Sequence, residues 1–237
     1  MSARTMTAAG IDADGAGLYR VGGLAAIAFG IAYLAIFPLY ASVGAPPSGG
    51  EAWLAYAAGK TTAWWAILGL SVLTDFLLVP VALSLYHALR GFGRNAMLVA
   101  TAFVGAFIVL DLAVTWPNYA ARIALAEDVA GATTEAQRAA IAGASTYASA
   151  VLSSTLTGVY SIVTLSVGIG ITGLVMRRGV FPRSAAYLGV ATGILGVAAV
   201  AGPFLVGALG ATIVLASVLT TAWALVSGYR LYRLGRD

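Results

Sequence analysis

Two aspartates stand out as residues that could do chemistry, because of where they fall. Asp75 lies in the stretch 61–89 and Asp111 in the stretch 95–117, both strongly apolar and free of any other acidic residue. No lysine or arginine shares either stretch. An ionisable group within a membrane span is costly and marks a functional site by default. Three courses are open to such a carboxyl. It can stay protonated, since leaving water disfavours the charged form. It can face a water-filled cavity, or it can hold a cation or a polar ligand. As a proton donor or acceptor it can serve as a general acid or base. Bonded to a neighbouring helix it would only be packing glue.

A second polar feature accompanies them. Ser149, Ser153, Thr157, Tyr160, Ser161 and Thr164 recur mostly at spacings of three and four, which gathers them on one face of a helix. This face is predicted to form the polar wall of an intramembrane cavity shared with Asp75 and Asp111. Small hydroxyl residues also suit close helix packing, but the large phenol of Tyr160 does not promote close approach. The two aspartates are also the candidates for a catalytic role. By depth they are offset. At about 1.5 Å per residue, Asp75 lies roughly 15 Å below Trp65 and Asp111 roughly 7–8 Å below Trp116. A shared proton would require tilt or a kink at Pro117 to close that gap. Pro80, five residues from Asp75, could open space beside it by removing a helix hydrogen bond.

The elements that must position these groups follow from composition. Of 237 residues, 60% are hydrophobic and 9% charged, and the mean hydropathy is +0.92. A soluble domain carries about 25% charged residues, so a water-soluble fold is excluded. The chain has no cysteine and one histidine, His87. Disulfides, thiolate metal sites, iron–sulfur clusters and a bis-histidine haem within one chain are therefore excluded. No Walker, zincin, nucleophile-elbow or dinucleotide motif is present. No cofactor, metal or nucleic acid is expected. The arginine and alanine usage suggests a high-GC bacterial genome.

A bilayer core takes about 20 apolar residues in a helix. Six segments qualify, at 18–42, 63–88, 96–116, 148–176, 185–206 and 209–229. The expected fold class is an all-α polytopic membrane bundle of six transmembrane helices, N-in/C-in. It carries a cytoplasmic tail at 1–17, outer loops at 43–62 and 117–147, and a cytoplasmic tail at 233–237. Orientation follows from arginine placement. Arg4, Arg20, Arg90, Arg94, Arg177, Arg178, Arg183, Arg230, Arg233 and Arg236 fall on one side of the six-span layout, and Lys60, Arg122 and Arg138 on the other. The expected site is the bacterial cytoplasmic (inner) membrane. Trp53, Trp64, Trp65 and Trp116 fall at predicted outer boundaries and read as interfacial anchors. Thr134, with Gln137 three residues on, reads as a capping box. The helix it opens is expected to run unbroken into the fourth span.

The layout resembles an uncharacterised bacterial family of six-helix integral membrane proteins, a domain-of-unknown-function family. The likeness is carried by Leu85-Tyr86-His87-Ala88-Leu89-Arg90 at the end of the second span. It is carried also by Val180-Phe181-Pro182-Arg183-Ser184-Ala185-Ala186-Tyr187-Leu188-Gly189 at the entry to the fifth, and by the basic tail at 230–236. The third span departs from the family pattern, opening with Arg94-Asn95-Ala96. The resemblance implies a fold and assigns no catalytic residue.

Three functions fit these features. The first is binding or moving a small hydrophobic or weakly polar ligand in a cavity lined by Asp75, Asp111 and the hydroxyl face. The second is membrane-embedded catalysis on a lipid or isoprenoid-like substrate, with Asp75 or Asp111 as general acid or base. The third is an accessory role in a larger membrane complex. The expected partners are membrane lipids, a small hydrophobic ligand, and a protein partner or further copies of the chain. The first reading uses most of the unusual residues.

Overall fold

In hydrocarbon every backbone N–H and C=O must be satisfied within its own segment, so long apolar runs become helices. The structure, a computed structural model, describes residues 15–236. Arg4 and residues 1–14 of the expected N-terminal tail lie outside the described residues, as does Asp237. Among the described residues the chain is helical, with no strand. The helices are α1 (Ala16–Val43), α2 (Gly50–Ala57), α3 (Thr61–Leu110), α4 (Trp116–Asp128), α5 (Glu135–Ser153), α6 (Thr155–Gly158), α7 (Thr164–Met176), α8 (Arg183–Ala201) and α9 (Thr212–Leu234).

Among the described residues five helical runs are long and apolar enough to cross a membrane: Ala16–Val43, Thr61–Gly131, Thr155–Met176, Arg183–Phe204 and Gly207–Leu234. The second is 71 residues long and contains both of the segments expected at 63–88 and 96–116. A straight α3 of 50 residues would extend about 75 Å, well beyond the roughly 30 Å of a hydrocarbon core. It bends at Gly93, whose φ of 179° and ψ of 67° are not helical. The two arms then run antiparallel. Trp65 donates to Glu127 at 2.9 Å, the Trp64 ring stacks on Tyr119 at 5.9 Å, and Trp116 reaches Asp75.

The helices form a ring. The arm of α3 before Gly93 lies against α1, where Gly22 faces Ser84 and the Pro80 carbonyl. The arm after it lies against α7, where Gly168 faces Val104 and the Ala100 carbonyl. α8 packs between α7 and α9, and α9 returns to α1. Polarity is inverted relative to a soluble protein. Leu24, Ile31, Leu34, Phe76, Leu83, Leu98, Val109, Ile194 and Val214 point outward, whereas Ser71, Thr74, Asp75, Ser84, Asp111, Thr172, Thr221 and Ser227 are buried. That pattern is stable in lipid and not in water.

Glycines form close helix contacts within the bundle. A Cβ on Gly193 would meet the Gly170 Cα at 2.7 Å and the Ser166 carbonyl at 3.0 Å, both backbone atoms that cannot step aside. Gly193→Ala is expected to destabilise the bundle by about 1–3 kcal/mol, the usual effect of overpacking. Gly105→Ala, with nothing within 4 Å of a new Cβ, is the matched control expected to stay near wild type. Unfolding of the purified variants in a micelle would compare them.

One end of the ring carries most of the arginines, Arg122 and Arg138 lying instead in α4 and α5. Arg20 lies near the start of α1, Arg90 and Arg94 flank the bend, and Arg177, Arg178 and Arg183 join α7 to α8, with the rest near the end of α9. The opposite end is capped by α2, α4 and α5, which pack on one another over a core of Val43, Trp53, Leu54, Trp64, Ile67 and Ile123. Gly44 (φ 77°) and Gly49 (φ 92°) supply the left-handed turns that let α2 fold back there.

Three expectations require correction. Trp53 and Trp64 are not interfacial anchors but fully buried, their rings 4.8 Å apart. Trp116 is likewise turned inward, towards Asp75, and of the four only Trp65 is exposed. The capping box at Thr134 and Gln137 does open α5, but the helix does not run unbroken into the next span. It stops at Ser154, where ψ is 142°. The reason is local. The Ser154 and Thr157 hydroxyls both bond the Val151 carbonyl, at 2.8 and 2.6 Å, competing with the helix for it. Lastly, the helix widens just before Pro117 and not at Pro80, where α3 stays helical.

Candidate functional site

Two π-helical turns face each other inside the bundle. The first, Asp111–Thr115, joins α3 to α4. The second, Val159–Val163, joins α6 to α7. A π turn holds one more residue than an α turn and often marks a functional position. The first has a cause in the sequence. Pro117 has no N–H, and its ring crowds the carbonyl four residues back, which favours widening of the preceding turn. The Asn118 side chain donates to the Val114 carbonyl at 2.7 Å, within this irregular stretch. The second lies just after the Ser154 break and Gly158.

The turns meet through side chains. Ser161, in the second, donates to Asp111 Oδ1, in the first, at 2.5 Å. Thr115 Oγ1 lies 2.7 Å from Ser161 Oγ. The result is a hydroxyl chain ending on a carboxyl that is 3% exposed. Beside it is a partly open cavity of about 330 Å³, within the range of small-molecule sites, which begin at about 300 Å³. Its walls are Asp111, Thr115 and Ser161, the aromatic rings of Tyr33, Tyr40, Trp116 and Tyr119, and Ser217 and Thr220 from α9. On the arginine side of the bundle the interior is tight instead, with a void of only about 20 Å³ among Leu78, Leu85, Met97, Ile169 and Trp223.

The two aspartates have different surroundings. Asp111 lines the cavity. Asp75, also 3% exposed, accepts from the Trp116 indole N–H at 2.6 Å through Oδ2, and Trp116 itself lines the cavity. Asp75 thus supports the wall from behind.

The hydroxyl row does not survive as one face, because the Ser154 break and the second π turn interrupt the α spacing. Of its six members, Ser161 contacts Asp111. Ser149 and Ser153 line a separate pocket towards the capped end. Thr157 is used in closing the Ser154 break. Thr164 donates to the Tyr160 carbonyl, and the Tyr160 side chain is half-buried.

Sequence reasoning did not single out Thr115, Tyr33, Tyr40, Ser217 or Thr220. The proximity of Pro117 to Asp111 is the one local sign of irregularity beside them. Among the described residues, no three of His, Cys, Asp and Glu gather into a metal-binding group. The cavity offers carboxyl, phenol and hydroxyl oxygens and aromatic faces, with no basic side chain in its walls. It is suited to a ligand that brings hydrogen-bond donors or a positive charge together with apolar surface. No family model, curated protein or solved structure matches the chain.

Proposed function

We propose that this chain is an integral protein of the bacterial cytoplasmic membrane that binds or moves a small hydrophobic or weakly polar ligand in the cavity beside Asp111. It crosses the membrane six times, with the bend at Gly93 as a cytoplasmic turn and both termini cytoplasmic. The bias of the arginines towards one end supports this orientation through the positive-inside rule. The resemblance to the six-helix bacterial family is consistent with it. In this orientation the cavity lies in the outer half of the membrane, beneath the cap of α2, α4 and α5.

The observation that carries the ligand-binding reading is the meeting of two π turns at an aspartate with no basic partner in the cavity walls. Helix irregularity inside a membrane is tolerated where it borders protein or a cavity, and an intramembrane carboxyl is retained mainly for function. An accessory protein that only packs against a partner has no need of either. Asp111 accepts from the donor group of the ligand, Ser161 and Thr115 fix the carboxyl, and the aromatic rings take the apolar part.

Native mass spectrometry of the protein released gently from its own membrane tests this. Wild type is expected to carry a discrete small-molecule mass, and Asp111→Asn to lose it while remaining folded. A bare chain bound stoichiometrically to another protein would instead favour the accessory role.

A further inference from the structure

Tyr119 is shared by two cavities. Besides the Asp111 cavity it lines a second, at the capped end, of about 210 Å³, together with Pro46, Pro47, Arg122, Ser149 and Ser153. Arg122 is 5% exposed, an unusual state for a guanidinium, and its Nε has no hydrogen-bond partner. Among the described residues no carboxylate is bonded to it. Glu127, on the same helix, accepts from Trp65 instead. The guanidinium lies 3.7 Å over the Trp53 ring and 6.0 Å from that of Tyr119. Attraction to these rings offsets only part of what removal from water costs a charge. The hydroxyl of Ser149 is in the same condition: the residue is 5% exposed and its Oγ is unpartnered. Ser153, by contrast, already donates to the Ala150 carbonyl. A planar cationic fork and a spare hydroxyl therefore line one pocket, and two prolines supply part of its wall without any backbone N–H.

We propose that Arg122 and Ser149 form an oxyanion site, which takes a carboxylate or phosphate group against the face of the cap. A guanidinium meets such groups through two parallel N–H···O bonds, and Ser149 supplies a third donor. The bound group replaces the missing counter-charge of Arg122. The anion comes from solution or from the headgroup of an anionic lipid. The site involves no contact with Asp111, so its failure and the failure of the ligand-binding reading are separate outcomes.

Thermal unfolding of the full-length protein in a neutral detergent tests it, with two probes. One is inorganic phosphate; the other is phosphatidylglycerol in mixed micelles. Sodium chloride at matched ionic strength is the control. At least one probe is expected to raise the Tm of wild type above that control. Arg122→Gln is expected to abolish the rise. Ser149→Ala is expected to need roughly tenfold more probe for the same shift, the worth of one hydrogen bond to a charged acceptor. A response to phosphate identifies a soluble oxyanion, and a response to phosphatidylglycerol alone identifies a lipid headgroup. If Arg122→Gln fails to fold, Ser149→Ala decides, since its hydroxyl makes no bond within the protein. The site is overturned if neither probe raises the wild-type Tm above the control, or if Ser149→Ala titrates like wild type.

Discussion

Deleting Ala113 in a Pro117→Ala background is expected to weaken ligand binding in the cavity while leaving the bundle in place. Ala113 is an exposed residue in the π turn Asp111–Thr115. Removing one residue from a π turn returns it to an α turn, and removing Pro117 restores the N–H that the regular ladder needs. The helix beyond keeps its register, because Trp64 and Trp65 of the opposing arm hold Tyr119 and Glu127. What changes is the direction of Asp111 and Thr115 relative to Ser161. Two hydrogen bonds of about 1 kcal/mol each are lost from the site, so ligand affinity is expected to fall roughly tenfold or more. Native mass spectrometry would read the occupancy and far-ultraviolet circular dichroism the helix content. Pro117→Ala alone keeps the extra residue, and with it the site. A deletion variant that carried as much ligand as wild type would remove the π turn from the binding machinery.

The irregularity at the centre of that experiment is what the sequence conceals. Asp75 and Asp111 can be found by eye, because a charge in an apolar run needs no fold to be conspicuous. The long helices are equally legible from length and apolarity. The capping box is legible because it is local, with Thr134 and Gln137 three residues apart. A π turn has no such signature, since its extra residue looks like any other apolar residue. The even spacing from Ser149 to Thr164 assumes 3.6 residues per turn throughout. One break and one widened turn are enough to send Ser149 and Ser161 to different cavities.

The tryptophans fail for a different reason. A membrane-interface anchor and a member of a buried aromatic cluster occupy the same place along the chain, at the end of an apolar run. Only the folding of α2 over the bundle end separates Trp53 and Trp64 from Trp65. The arginine at 122 is the reverse case. In the sequence it belongs to a polar outer connection and attracts no notice. Burial against Trp53, with no acid opposite, is what makes it unusual.

Trp116→Phe is expected to destabilise the protein by about 2–4 kcal/mol. The indole N–H is the hydrogen-bond donor to Asp75 in the structure. A buried polar group left unpaired costs about 1–3 kcal/mol, and trimming indole to phenyl in a packed cluster adds about 1 kcal/mol. Asp75→Leu alone strands the indole N–H and is expected to destabilise by a smaller amount in the same range. With both changes together, neither group is stranded. Replacing both partners by apolar ones can be nearly neutral, so the double variant is expected to lie at least about 1 kcal/mol above the sum of the singles. Reversible unfolding in bicelles or by steric trapping would close the cycle. Additive effects would mean that the bond contributes nothing. The same double variant separates the roles of the two acids. It keeps Asp111, Ser161, Thr115 and an aromatic ring at position 116, so its ligand mass is expected to persist. Loss of the ligand there, with stability restored, would move Asp75 from the supporting wall into direct contact with what the cavity holds.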